Sequence, residues 1–150
     1  MLIMNTKERK INYVEWLSPE EMHDMSIQWF SELMFIKDEQ LFLNNLIKSY
    51  TIQLTDKGVF EKSKELVALL LKAEKEVVGL LKKVQQHSNQ LEIMVDDVDQ
   101  LKMEKAYKAT HNDLLLEVNE YGNTYRNIKE RLFKLVSKIM KLDKQKRLLN

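Results

Sequence analysis

The sequence predicts an all-α fold: an antiparallel up-down-up bundle of three long helices with coiled-coil-like heptad packing, pairing with a second copy. Three observations predict it. First, apolar residues recur at alternating steps of four and three, as in Tyr107, His111, Leu114, Val118, Tyr121, Tyr125, Ile128, Leu132, Leu135, Ile139 and Leu142. That spacing winds one apolar seam along a helix and demands a partner helix to cover it. Second, three glycines and one proline in 150 residues leave few places to turn. Third, a composition rich in Leu, Lys and Glu, with 31% charged residues, favours long helices.

Residues 1–17 stand apart as an N-terminal arm, ahead of a single helical-bundle domain over 18–150. Residues 10–16 have strand-like content but no strand partner elsewhere, so an extended arm with Trp16 packed onto the bundle is expected. The first helix, expected over about 19–55, has the strongest local signal in the chain. Ser18 is a good N-cap, Pro19 suits the first helical position, Glu21 completes a capping box and Leu17 can staple onto Met22. Its seam runs Met22, Ser26, Trp29, Leu33, Ile36, Gln40, Leu43, Ile47, Tyr50, Leu54. Both flanks are apolar as well, with Ile27, Met34 and Leu41 on one side and Phe35 and Phe42 on the other. Such a helix must touch two partners, or one partner and a second chain.

Thr55-Asp56-Lys57-Gly58 reads as a turn in which Gly58 ends the first helix. The second helix is expected over about 59–97, with the seam Leu66, Leu70, Ala73, Val77, Leu80, Val84, His87, Leu91, Met94, Val98, widened by Val67, Leu81 and Val95. Gly79 falls on its outer side and costs helix propensity. Beyond Val98 the phase slips, since continuing it would bury Lys105, Lys108, Asn112 and Asn119. A turn among Asp96, Asp97 and Asp99 is therefore expected, with Asp97 or Asp99 capping a third helix over about 100–146. One continuous helix with a stammer is the alternative. Gly122, beside Tyr121, offers a place for another backbone to come close or is simply a tolerated glycine. Short connections make neighbouring helices antiparallel.

Charge is sorted along the sequence. Residues 89–120 hold eight acidic and three basic groups, a net −5, whereas residues 126–150 hold nine basic and two acidic, a net +7. The simple reading is a set of solvated faces; the sharper one is a pair of opposite poles that steer association. The basic segment 126–147 is also amphipathic, through Leu132, Phe133, Leu135, Val136, Ile139, Met140 and Leu142. It suits contact with an anionic membrane surface or a partner's groove. Its seam continues the upstream phase, which favours a bundle helix, and no interleaved aromatics support specific nucleic-acid binding.

Several chemistries are excluded or weakly supported. Without cysteine there are no disulfides and no thiolate metal sites. No apolar run approaches the roughly 18 residues of a membrane span, and the start is too short for a signal peptide, so a cytoplasmic protein is expected. Gly58, Gly79 and Gly122 are isolated, so no phosphate loop is present. One Glu-x-x-His occurs, at Glu20-Glu21-Met22-His23, where a di-iron bundle needs two and further inward glutamates. His87-Ser88 and Thr110-His111 are neighbours in sequence, which on a helix point about 100° apart and make no dyad.

The more interesting pair is His87 and His111, both on predicted seams. A turn between the second and third helices centred near Asp99 places them at one level, where two imidazoles and Glu92 or Glu104 could hold zinc or iron. The reading these features favour is nevertheless non-enzymatic, with no cofactor: protein–protein interaction or scaffolding by a homodimer, or with a helical partner, through Met34, Phe35, Leu41 and Phe42. The competing reading is a metal- or ligand-binding bundle, with catalysis in view, centred on His87 and His111.

Overall fold

The computed structural model describes residues 16–51, 57–96 and 101–149. Three helices account for all of them but 16–18: α1 (Pro19–Thr51), α2 (Lys57–Asp96) and α3 (Leu101–Leu149). Among the described residues the regular structure is all helical, and the three helices pack against each other.

Local chemistry sets where α1 starts. The Glu21 backbone N–H donates to Ser18 Oγ at 3.1 Å, and the Ser18 N–H donates to Glu21 Oε1 at 3.2 Å. Two backbone donors that a helix start would leave open are thereby satisfied. Leu17 and Met22, the residues on either side of this box, are 4% and 0% exposed. Leu17 is the side chain that anchors the chain ahead of α1. Trp16 does not pack on the bundle as expected; it is 87% exposed. The two residues are adjacent, and it is Leu17 that is turned inward. The expectations for residues 1–15 lie outside the described residues.

The seams expected from spacing are the buried stripes. Along α1, Met22, Ser26, Trp29, Leu33, Gln40, Leu43 and Ile47 are buried. Along α2 the buried positions run from Leu66 to Met94 in steps of four and three, and along α3 from His111 to Ile139. Ile36, Tyr50 and Tyr107 of the expected seams are only half-buried, and Leu142 departs from the pattern at 39% exposed. The side chains of Leu54 and Val98 lie outside the described residues, as do the expected capping roles of Asp97 and Asp99.

Gly58 behaves differently from expectation, and Gly122 fits the plainer of its two readings. Gly58 does not end α1: it lies in the first turn of α2 and has no positive φ. Gly122 accommodates no neighbouring backbone, for a Cβ there would meet only the tip of Arg126 at 4.0 Å. Each is simply a helical residue without a side chain.

The residues fall into two compact units, interleaved in sequence because each helix contributes to both. The first comprises Met1–Met34 and Val78–Tyr121, and the second Phe35–Val77 and Gly122–Asn150. In the first unit Trp29 of α1 stacks on His111 of α3, which in turn meets His87 of α2. Around them lie buried Leu33, Leu80, Val84, Leu91, Leu114 and Val118.

In the second unit the helices are tied by polar contacts around an apolar core of Leu43, Ile47, Leu70, Val77, Ile128 and Leu132. Asn44 Nδ2 of α1 donates to Glu74 of α2. Glu39 of α1 accepts hydrogen bonds from Tyr125 and Lys129 of α3. Burial raises the pKa of Glu39, but the hydrogen bonds from Tyr125 and Lys129, together with the Lys129 charge, outweigh it and hold the carboxyl below its ordinary value.

Candidate functional site

The strongest polar constellation is in the first unit. Trp29, His87 and His111 reach it because each occupies a seam position of its own helix, and a seam position points at the neighbours. His87 and His111 are 1% and 0% exposed. Their rings face each other through His87 Nε2 and His111 Nδ1, 2.8 Å apart. Trp29 stacks on His111 with centroids 4.6 Å apart and planes at 27°. In an unbroken helix two residues 24 positions apart would be roughly 36 Å from each other, so this contact excludes one continuous helix from α2 into α3.

Burial lowers both histidines from the ordinary 6.5, His87 to about 4 and His111 to about 3, with the positive charge on His87 adding to the effect at His111. Both rings are therefore neutral near pH 7. Two neutral imidazoles carry two ring protons, and one of these is used in the shared hydrogen bond. His87 Nδ1 and His111 Nε2 are buried without a hydrogen-bond partner. Whichever ring donates, one of these two nitrogens is an N–H and the other a bare lone pair. A cleft of about 450 Å³ reaches His87, lined also by Gln86, Gln90, Thr110 and Asp113 and bounded by the Lys83–Glu117 ion pair.

The structure thus brings together the two histidines that spacing placed at one level. It does not bring either of the expected carboxylates to them. Glu92 is exposed, and Glu104 pairs with Lys108 on α3 at 3.4 Å. Among the described residues no group of three His, Cys, Asp or Glu side chains is arranged to hold a metal ion. His23, of the lone Glu-x-x-His, is half-buried in the first turns of α1. The stacking of Trp29 on His111 was not anticipated, although its signal was present: Trp29 shares the seam of α1.

The second candidate is the outer surface of α1. Phe35, Leu41 and Phe42 are 64%, 65% and 59% exposed. Phe35 and Phe42, seven residues apart, lie almost above one another on the helix, with Leu41 about 100° round from Phe42. Met34 is half-buried. Asp38, Asn45 and Ser49 lie on the helix face between the Phe35–Phe42 line and Leu41, and all three are exposed.

Among the described residues no helix is long and apolar enough to cross a membrane. Comparison with protein-family models, with curated proteins and with solved structures finds no match to this chain.

Proposed function

We propose that this chain is a non-enzymatic helical-bundle protein that acts through protein–protein contact, self-associating through the apolar face of α1. The observation that carries the reading is the exposure of Phe35, Leu41 and Phe42 on one helix. An isolated apolar side chain on a surface is ordinary, but large aromatics repeating at helical spacing are what a partner helix covers. A bundle of this kind presents such a face on a rigid element, so little ordering is required on binding.

The finer architecture belongs to the same proposal. The bundle is antiparallel, up-down-up, with heptad packing. Supporting it, Lys83 pairs with Glu117 while His87 pairs with His111, so four steps back along α2 accompany six steps forward along α3. The buried steps of four and three on every helix support the packing mode. The chain works as a homodimer or with a helical partner.

Sedimentation of the full chain across micromolar concentrations tests the reading. A concentration-dependent dimer is expected, weakened by Phe35→Glu or Phe42→Glu while the helical circular dichroism is kept. A compact monomer at high micromolar concentration rejects it.

The second reading, a metal- or ligand-binding bundle, draws on the buried unpartnered nitrogens of His87 and His111 and the cleft beside them. Elemental analysis of protein purified without a histidine tag separates the two. Stoichiometric zinc or iron, lost in the His87→Leu/His111→Leu double variant, would favour the metal site.

A further inference from the structure

Within the second unit α2 and α3 leave a cleft of about 320 Å³. Two helical stripes form its walls. From α3 come Arg131, Lys134, Leu135 and Lys138, and from α2 come Lys62, Glu65 and Leu66. Each set follows i, i+3, i+4 spacing, which is why its members share one face. Leu66 and Leu135 are 3% and 5% exposed and form the apolar base.

We propose that this cleft is a binding site for a phosphate-bearing ligand. Four cations line it against a single carboxylate, and that carboxylate is already engaged, with Arg131 bonded to Glu65 at 2.9 Å. Among the described residues no carboxylate pairs with Lys62, Lys134 or Lys138. Lys134 and Lys138 lie at i, i+4 on one helix, an arrangement of like charge that destabilises the helix bearing it. With Lys62 on the opposite wall, three lysines line the cleft without a carboxylate paired to them among the described residues. A phosphate monoester carries about two negative charges and three strong acceptor oxygens, so it matches such a set better than one carboxylate does.

The charge is local, not a general property of the chain. The chain as a whole carries +1, whereas the second unit holds sixteen basic and nine acidic residues, a net +7, and the first holds eight basic and fourteen acidic, a net −6. The cleft beside His87 shows the opposite balance, with Lys83 against Asp113 and Glu117. The apolar base at Leu66 and Leu135 can take carbon attached to the phosphate. Both a lipid headgroup and a free phosphate compound have this chemistry.

The test uses the full chain. It is titrated calorimetrically with inorganic pyrophosphate and with dihexanoyl phosphatidic acid, and sedimented with phosphatidylcholine vesicles with and without phosphatidic acid. Saturable binding is expected in at least one arm. The Lys134→Gln/Lys138→Gln variant should weaken it by about tenfold or more, as expected if two charge-assisted contacts are lost. Lys141→Gln/Lys144→Gln removes the same charge from α3 outside the cleft and should leave the affinity within about twofold. Circular dichroism checks that both variants stay helical. Binding of pyrophosphate assigns the cleft to free phosphates. Binding confined to phosphatidic acid, dispersed or in vesicles, assigns it to a headgroup. No saturable binding in any arm, or equal loss in the two double variants, overturns the proposal. Because none of these residues lies on the Phe35–Phe42 face, the outcome is independent of the dimer test.

Discussion

His87 and His111 confine each other's protonation. Each is removed from water, and a proton on either ring would be held in an apolar interior next to the other. As pH falls, the unfolded chain, with histidines near 6.5, takes up protons before the folded one does. Their contribution to stability is fully present above about 6.5. It is lost as pH drops from that value toward the folded pKa values of about 4 and about 3, and the loss levels off below them. Urea denaturation at a series of pH values should show this window, and the His87→Leu/His111→Leu variant should flatten it. A window unchanged in the double variant would mean that other groups produce it. Glu39 also loses stabilisation on acidification, but only below the ordinary carboxylate pKa of 4.5, so the stretch from about 6.5 to 4.5 reports the histidines without Glu39. At the start of α1, Ser18→Ala removes the oxygen that accepts the Glu21 N–H. A loss of about 1 kcal/mol is expected in the same denaturation assay.

At the scale of the helices, the heptad phase and the glycines pointed to two breaks by different signals. The phase slip after Val98 placed a break where no glycine or proline marks one. α2 ends at Asp96 and α3 begins at Leu101. The other expected boundary relied on Gly58 as a helix terminator, and the residue is helical instead, since a glycine permits a left-handed turn without requiring one. Spin labels at Gln85 and Asn112 check the α2–α3 hairpin directly. They should be close in space, whereas a straight helix would separate them by roughly 40 Å. Gly79 offers a test in the other direction. A Cβ there meets nothing within 4 Å, so Gly79→Ala restores helix propensity with no steric cost. Thermal melts should show a gain of about 0.8–1 kcal/mol, and a loss would mean that the outer face of α2 is covered in solution.

At the scale of the molecule, two forces for association are distinguishable. The Phe35–Phe42 face would act by burying apolar area, which salt does not screen. Opposite net charges on the two units, −6 and +7, would act by attraction that fades when the Debye length shrinks to about 3 Å in 1 M salt. Sedimentation at 0.1 and 1 M salt separates them. If α1 carries the dimer, it should persist at high salt and fail in Phe42→Glu. A dimer dispersed by salt but indifferent to Phe42→Glu would assign association to charge.

Helical periodicity records the direction in which each side chain leaves its own axis, a local property. For that reason the sequence by itself determined the three helices, their seams, the capping box at Ser18 and the shared level of His87 and His111. It does not record where neighbouring helices sit or how they are rotated. Leu81 and Leu41 both read as flank residues, yet one is 7% exposed and the other 65%. Only the tertiary structure decided which flank is covered, that Trp29 stacks on His111, that Glu39 answers Tyr125 and Lys129, and that three lysines from two helices line one cleft. Each of these depends on residues far apart in the chain, whose meeting is set by how the cores of whole helices pack.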